Sequence, residues 1–68
     1  MRVAQRNRIM QFLSGYIASN GTGPTIKEIG EFFRWSSPAT VFDKLVTLEK
    51  MGLIRRQRYK MRAIEIVK

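Results

Sequence analysis

Residues 36–52 read SSPATVFDKLVTLEKMG, and this stretch decides the fold. The pattern predicts one helix over about 37–51, with a characteristic residue type at each end. Ser37 is of the type that caps helix N-termini through its hydroxyl, and Pro38 suits the first helical position because its fixed φ matches the helix. Gly52 follows the last turn, where a residue in the left-handed conformation ends many helices.

The predicted helix has one apolar stripe and a contrasting polar face. Its apolar residues recur at spacings of four and three, which predicts that they pack into a core. They are Val41, Leu45, Leu48 and Met51. Small and polar residues occupy the other faces, namely Ala39, Thr40, Asp43, Lys44, Thr47 and Lys50. A face of this kind can approach another surface closely.

Two more helices are predicted before this one. The first covers about 5–19, and a segment rich in glycine and proline follows it. The second opens at Thr25, because Thr25 and Glu28 have the spacing of a capping box, in which each side chain bonds the other's backbone N–H. The second helix ends near Trp35, and its apolar face consists of Ile26, Ile29, Phe32 and Phe33. We expect Trp35 to pack in the core rather than stack on a base.

After Gly52 the pattern changes to an alternation with a period of two, which predicts strands. Residues 53–68 are interpreted as two strands joined by a turn at about 58–61. Five of the thirteen basic residues lie between Arg55 and Arg62, so this hairpin is strongly basic. Three helices followed by a basic C-terminal hairpin are the order of a winged helix-turn-helix. We therefore predict a single α+β, mainly α domain over 1–68.

The charge of the chain points to a polyanion as its partner. The 68 residues carry 13 Lys and Arg against five Asp and Glu, which gives a net charge of +8 and a pI near 11.0. Such a balance favours nucleic acid. An anionic membrane fits less well, because the densest basic run falls in strand and turn rather than on an amphipathic helix. The interpretation that the positive charge serves only solubility stays open.

Composition also bears on catalysis and location. Cysteine and histidine are absent, which excludes disulfides and Cys/His zinc sites. With only five scattered carboxylates and no glycine motif for phosphate, we predict no enzyme activity, no metal and no cofactor. The chain lacks an apolar run of about 18 residues that could span a membrane. Residues 1–8 lack the apolar segment of a secretory signal, so we predict a cytoplasmic protein.

Several short motifs occur together at characteristic spacings. They are Gly21-Thr22-Gly23-Pro24-Thr25, Glu28-Ile29, Ser37-Pro38, Leu45 with Leu48, Lys50-Met51-Gly52-Leu53-Ile54 and Arg62-Ala63-Ile64. On these motifs, the chain resembles the N-terminal DNA-binding domains of the LexA repressor family from about Arg6 to Ile66. The resemblance implies that the helix over about 37–51 binds in the major groove of double-stranded DNA.

The resemblance also implies which residues read bases. In that family the start and the exposed face of the third helix do so, and the matching positions are Ser37, Ala39, Thr40, Phe42 and Asp43. The family typically has asparagine where Ala39 stands and glutamate where Phe42 stands, so its operator is not expected here. The alternative that Ser37 serves only as a helix cap stays open. The exposure of Phe42 also stays open. An exposed ring would contact a thymine methyl or a protein partner, whereas a ring under the second helix would belong to the core.

The resemblance has two further limits. Members of the family continue into a peptidase-like domain that dimerises and cleaves itself, and we expect this chain, which ends at Lys68, to lack it. The wing at 55–62 is more basic than in the family and has no glycine, which implies greater reliance on phosphate contacts. The predicted backbone-contacting residues are Lys27, Lys44, Arg55, Arg56, Arg58, Lys60 and Arg62. Arginines at the start of the first helix oppose its dipole. An external anion would remove that penalty, and the alternative that these arginines are only frayed and solvated stays open.

We predict a sequence-specific transcriptional regulator that binds double-stranded DNA, with repression as its expected action and a bacterium, phage or plasmid as its expected source. Two alternatives stay open. One is an architectural accessory factor of the excisionase or partition type, and the other is a winged helix used for protein–protein contact. The high charge and the absence of a heptad pattern predict a monomer in free solution, with any dimer forming on DNA.

Overall fold

A computed structural model describes residues 1–57 and 64–67. Within these residues, helices come first and a small antiparallel sheet follows. The elements are α1 Val3–Asn20, α2 Ile26–Phe33, α3 Pro38–Lys50, β1 Ile54–Arg56 and β2 Ile64–Ile66. In the sheet, Ile54 pairs with Ile66 and Arg56 pairs with Ile64. The predicted winged helix-turn-helix is confirmed, whereas the predicted turn at 58–61 lies outside the described residues.

Every element contributes to one hydrophobic core. Its buried members are Ile9, Leu13, Ile29, Val41, Leu45, Leu48, Ile54 and Ile64. The apolar stripe predicted for α3 is confirmed for its first three residues. It is wrong for Met51, which is 45% exposed. Helix α3 ends at Lys50, so Met51 lies at the C-cap, beyond the last turn that packs on the core.

The capping box of α2 forms as predicted. The Thr25 hydroxyl accepts a hydrogen bond from the Glu28 N–H at 3.1 Å, and Glu28 Oε1 accepts one from the Thr25 N–H at 2.9 Å. The second carboxylate oxygen of Glu28 accepts a hydrogen bond from the Tyr16 hydroxyl at 2.8 Å. Glu28 therefore closes the start of α2 and ties it to α1.

The two ends of α3 differ in how well they match the prediction. At the C-terminal end Gly52 has a φ of 77°, its N–H donates to Glu49 O, and the Leu53 N–H donates to Leu48 O. These two bonds make a Schellman motif, as Gly52 predicted. At the N-terminal end Ser37 is the N-cap residue, but its hydroxyl makes no capping hydrogen bond. The predicted side-chain cap is wrong: the Thr40 N–H, a donor that such a cap would use, donates instead to the Ser37 carbonyl at 3.1 Å.

Aromatic rings join α1 to the end of α2. Trp35 is half-buried and stacks on Phe33 at 4.7 Å between centroids, which agrees with its predicted packing role. The sequence pattern predicts Phe32 on the buried face of α2, yet it is 61% exposed and stacks on Phe12 at 4.2 Å. The difference arises because consecutive residues of a helix point about 100° apart, so Phe33 and Phe32 cannot share one buried direction.

The turn between α2 and α3 is tight. Arg34 adopts the left-handed conformation, with φ 59° and ψ 38°, at the C-cap of α2. The Trp35 N–H then donates to Gly30 O at 2.8 Å. This turn fixes where the polar face of α3 begins. In residues 1–57 and 64–67, no helix is long and apolar enough to cross a membrane.

Candidate nucleic-acid interface

The structure brings the predicted base-reading residues together on one side of α3. Ala39, Phe42 and Asp43 are exposed, and their spacing of three and four places them on one helix face. Ser37 is exposed just before them, and Thr40 is half-buried at the edge of this face. We call these five residues the α3 face. The buried stripe of α3 lies on another side, so the α3 face can meet a partner without disturbing the core.

Phe42 is exposed, which answers the question that the sequence left open. The residue is 46% exposed and therefore does not lie buried under α2. One side of its ring is covered by Arg56, whose guanidinium carbon lies 4.6 Å from the ring centroid. Such a contact is a cation–π interaction, worth about 0.5–1 kcal/mol at an exposed site. Phe42 is thus held at the surface by a residue of the sheet.

Arg56 is turned onto α3 instead of into solvent. Its Nη2 lies 3.4 Å from Glu49 Oε1, and its side chain is only 21% exposed. Its Nε is buried and makes no hydrogen bond within the described part of the chain. Phe42 and Glu49 are seven residues apart and so lie on the same side of α3. Arg56 therefore bridges β1 and the α3 face, a role that the sequence did not indicate.

Arg55 takes the opposite side of β1, as neighbouring residues of a strand do. Its side chain is 74% exposed, and its Nη2 lies 3.9 Å from Glu65 Oε2, directly across the sheet. An exposed pair at that distance contributes little to stability. Of the two predicted phosphate-contacting arginines in β1, Arg55 is the more exposed.

The two lysines predicted to contact the DNA backbone also differ. Lys27 is exposed on α2. Lys44 is half-buried, its Nζ donates to Gln5 Oε1 at 3.2 Å, and it lies 5.9 Å from the centroid of the Trp35 ring. Lys44 is thus engaged between α3 and α1. The remaining predicted contacts, Arg58, Lys60 and Arg62, lie outside the described residues.

Sequence reasoning missed two partners in this region. Glu49 pairs with Arg56, and Gln5 accepts from Lys44. The seven-residue spacing from Phe42 is a signal that could have placed Glu49 on the same face. Nothing local signals Gln5, because its partner is 39 positions away in the chain. Among residues 1–57 and 64–67, no three or more His, Cys, Asp or Glu are grouped so that they could hold a metal ion.

Comparison with known proteins gives a consistent result. The family model described as the LexA DNA binding domain matches residues 3–63. Proteins named LexA repressor from an Exiguobacterium species, Carboxydothermus hydrogenoformans and Bacillus subtilis are 42%, 41% and 44% identical to the chain over 64, 63 and 59 residues. These matches cover 94%, 93% and 87% of the chain but 31%, 31% and 29% of the relatives. The chain thus spans less than a third of the length of these relatives.

Proposed function

The chain belongs to the LexA DNA-binding domain family, and we propose from this membership that it binds double-stranded DNA sequence-specifically and represses transcription. Helix α3 enters the major groove and the basic wing lies on the sugar-phosphate backbone. The major groove admits an α-helix and shows a different pattern of donors, acceptors and methyl groups for each base pair.

One observation carries this proposal beyond family membership. Four of the five residues of the α3 face are exposed and four are small or polar, and exposed Arg55 lies on the strand that follows α3. A helix face without long charged side chains can approach base edges, while cations beside it hold the phosphates. The net charge of +8 also favours binding to a polyanion such as DNA.

Selection from a randomised duplex library at two salt concentrations, followed by footprinting, tests the function. We expect enriched sequences and a defined footprint. Thr40→Ala and Asp43→Ala should each change the preferred base at one or two positions, by about 1–3 kcal/mol for each good side-chain-to-base pairing that the substitution removes. Lys27→Ala is the control, because removal of a phosphate-binding cation should weaken binding to all sequences alike. The proposed role of the α3 face fails if both variants select the parent's sequences.

The wing makes a separate prediction about salt. With about five phosphate contacts from the wing and the N-terminal arginines, log affinity should fall with log salt at a slope of about −4 to −5. The double variant Arg58→Ala, Lys60→Ala should flatten this slope by nearly 2 (~0.9 per contact) and leave base preference unchanged. Binding measured at several salt concentrations checks this. An unchanged slope would assign these two cations to protection of a sheet edge.

One observation favours a second candidate function. Ala39 and Phe42 carry no hydrogen-bonding group in their side chains, at positions where the family typically has polar residues. Weaker base readout together with a basic wing fits an architectural factor that binds DNA with little sequence preference. That candidate predicts a strong salt dependence without enriched sequences in the same selection experiment.

We propose that the chain is monomeric in free solution. No heptad pattern is available for a coiled coil, and a charge of +8 on 68 residues is self-repelling. Sedimentation at micromolar concentration and moderate salt should give the mass of one chain, and any dimer should form only with DNA. A stable dimer without DNA would contradict this. A non-catalytic, DNA-binding role in the cytoplasm, for a protein of bacterial, phage or plasmid origin, belongs to the same proposal.

A further inference from the structure

Phe42 is the large apolar member of a face that is otherwise small or polar. Ala39 and Asp43 flank it on the same side of α3, and Phe42 remains 46% exposed although Arg56 covers one side of its ring. A phenyl ring offers neither a donor nor an acceptor, so it cannot recognise base edges by hydrogen bonding. The chemistry that it can recognise in a major groove is apolar, and among the four bases only thymine shows a methyl group there.

We propose that Phe42 recognises the 5-methyl group of a thymine in the bound DNA, and that Arg56 is the positioning residue that holds its ring for this contact. The proposal rests on the proposed function, since it needs α3 in the major groove. It adds the chemical identity of one base at the interface. It also separates this chain from family members that carry glutamate at the matching position.

Arg56 can hold the ring because it is itself held. Its guanidinium carbon lies 4.6 Å from the Phe42 centroid, and its Nη2 lies 3.4 Å from Glu49 Oε1. The carboxylate thus anchors the guanidinium from one side while the ring meets it from another. Because Arg56 lies in β1, the arrangement also sets the position of the ring relative to the sheet.

The same contacts remove Arg56 from the set of phosphate-binding cations. Its charge is paired with Glu49 and its side chain is 21% exposed, whereas the Arg55 side chain is 74% exposed. Adjacent arginines on opposite sides of one strand therefore have different roles. Arg55 should act on affinity for all sequences, and Arg56 should act on base preference. This difference supplies a matched control within the chain.

The test compares thymine with deoxyuridine, which lacks only the 5-methyl group. A duplex enriched by the full chain is resynthesised with each thymine replaced in turn, and affinities are measured at one salt concentration. We expect one thymine per bound site at which removal of the methyl weakens binding about fourfold. Phe42→Ala should bind the two duplexes equally well. Phe42 is exposed, so its replacement leaves the core intact, and thermal unfolding verifies this.

The positioning role is tested by the arginines of β1. Arg56→Gln should lower the thymine-to-deoxyuridine affinity ratio below about twofold, and Arg56→Lys should restore part of it, because an ammonium can also sit over the ring. Arg55→Gln should leave the ratio unchanged while flattening the salt slope by about 0.9. An Arg56→Gln variant that keeps the full ratio overturns the positioning role.

The outcomes separate this inference from the proposed function. If sequences are enriched but no thymine methyl affects binding, or if Phe42→Ala keeps the methyl preference, the inference is overturned and sequence-specific binding stands. If no sequence is enriched, both the inference and sequence-specific binding fail. A methyl preference that depends on Phe42 and weakens in Arg56→Gln supports both parts.

Discussion

Leu48→Ala is expected to lower the free energy of unfolding by about 2–5 kcal/mol. The Leu48 side chain is 0% exposed and belongs to the core that all the elements share. The substitution removes apolar contacts and leaves a cavity that the surroundings fill only in part. A domain of 68 residues has roughly 3–10 kcal/mol of stability in all, so this one change should unfold a measurable fraction of the protein at 25 °C. Urea unfolding followed by circular dichroism checks the value.

Met51→Ala is the matched control for Leu48→Ala. The two residues are three positions apart on the stripe that the sequence pattern predicts to be buried, but Met51 is 45% exposed. Its replacement should change the free energy of unfolding by no more than about 0.5 kcal/mol. Equal destabilisation by the two variants would contradict the end of α3 at Lys50.

Gly23→Ala is expected to destabilise the fold by about 1–3 kcal/mol, because the space for a side chain is already occupied. A Cβ at this position would lie 2.7 Å from Ile64 O and 3.1 Å from Ile64 Cβ. The nearest atom is a backbone oxygen of β2, so the strand itself would have to move away from the segment between α1 and α2. Thermal unfolding should show a clear drop in the midpoint, of the order of several degrees.

Gly15→Ala provides the contrast of opposite sign. A Cβ at Gly15 would meet nothing within 4 Å, and the residue lies in the interior of α1. Alanine should therefore stabilise the protein by about 0.5–1 kcal/mol through helix propensity. Both variants add the same methyl group. The difference between their changes in the free energy of unfolding therefore separates the effect of the close contact with Ile64 from the effect of helix propensity. If both variants destabilise the protein, the cause is a general intolerance of substitution at glycine and not the contact with Ile64.

The order of elements and most helix ends could be predicted from sequence because they depend on local interactions. The Thr25–Glu28 capping box is a contact across three residues, and Gly52 closes α3 through bonds to residues of the same last turn. Val41 and Leu45 show their burial through spacing alone. For these features the chemistry that forms the structure is contained within a few consecutive residues.

The features that sequence reasoning could not supply depend on packing between elements. Phe42 and Arg56 meet because β1 returns beside α3, and the exposure of Phe42 follows from how α3 is rotated on the core. Phe32 and Phe33 are the same residue type at adjacent positions and both rings meet Phe12 of α1, so the sequence pattern does not show that Phe32 is the exposed one. The sequence therefore predicts which positions of α3 form the candidate site, but it does not predict the contacts, such as that of Arg56 with Phe42, that hold their side chains.

The left-handed Arg34 in the turn before α3 has an evolutionary consequence. An L-residue in this conformation carries about 1–2 kcal/mol of steric strain, and glycine would remove that strain but lose about 0.5–1 kcal/mol in backbone entropy. These two figures place glycine between equal to arginine and about 1.5 kcal/mol more favourable at this position. The two residues differ by one positive charge at the helix-turn-helix. Substitution at position 34 could therefore change the affinity for polyanions in general during evolution. The residues that read bases lie elsewhere and would be selected separately.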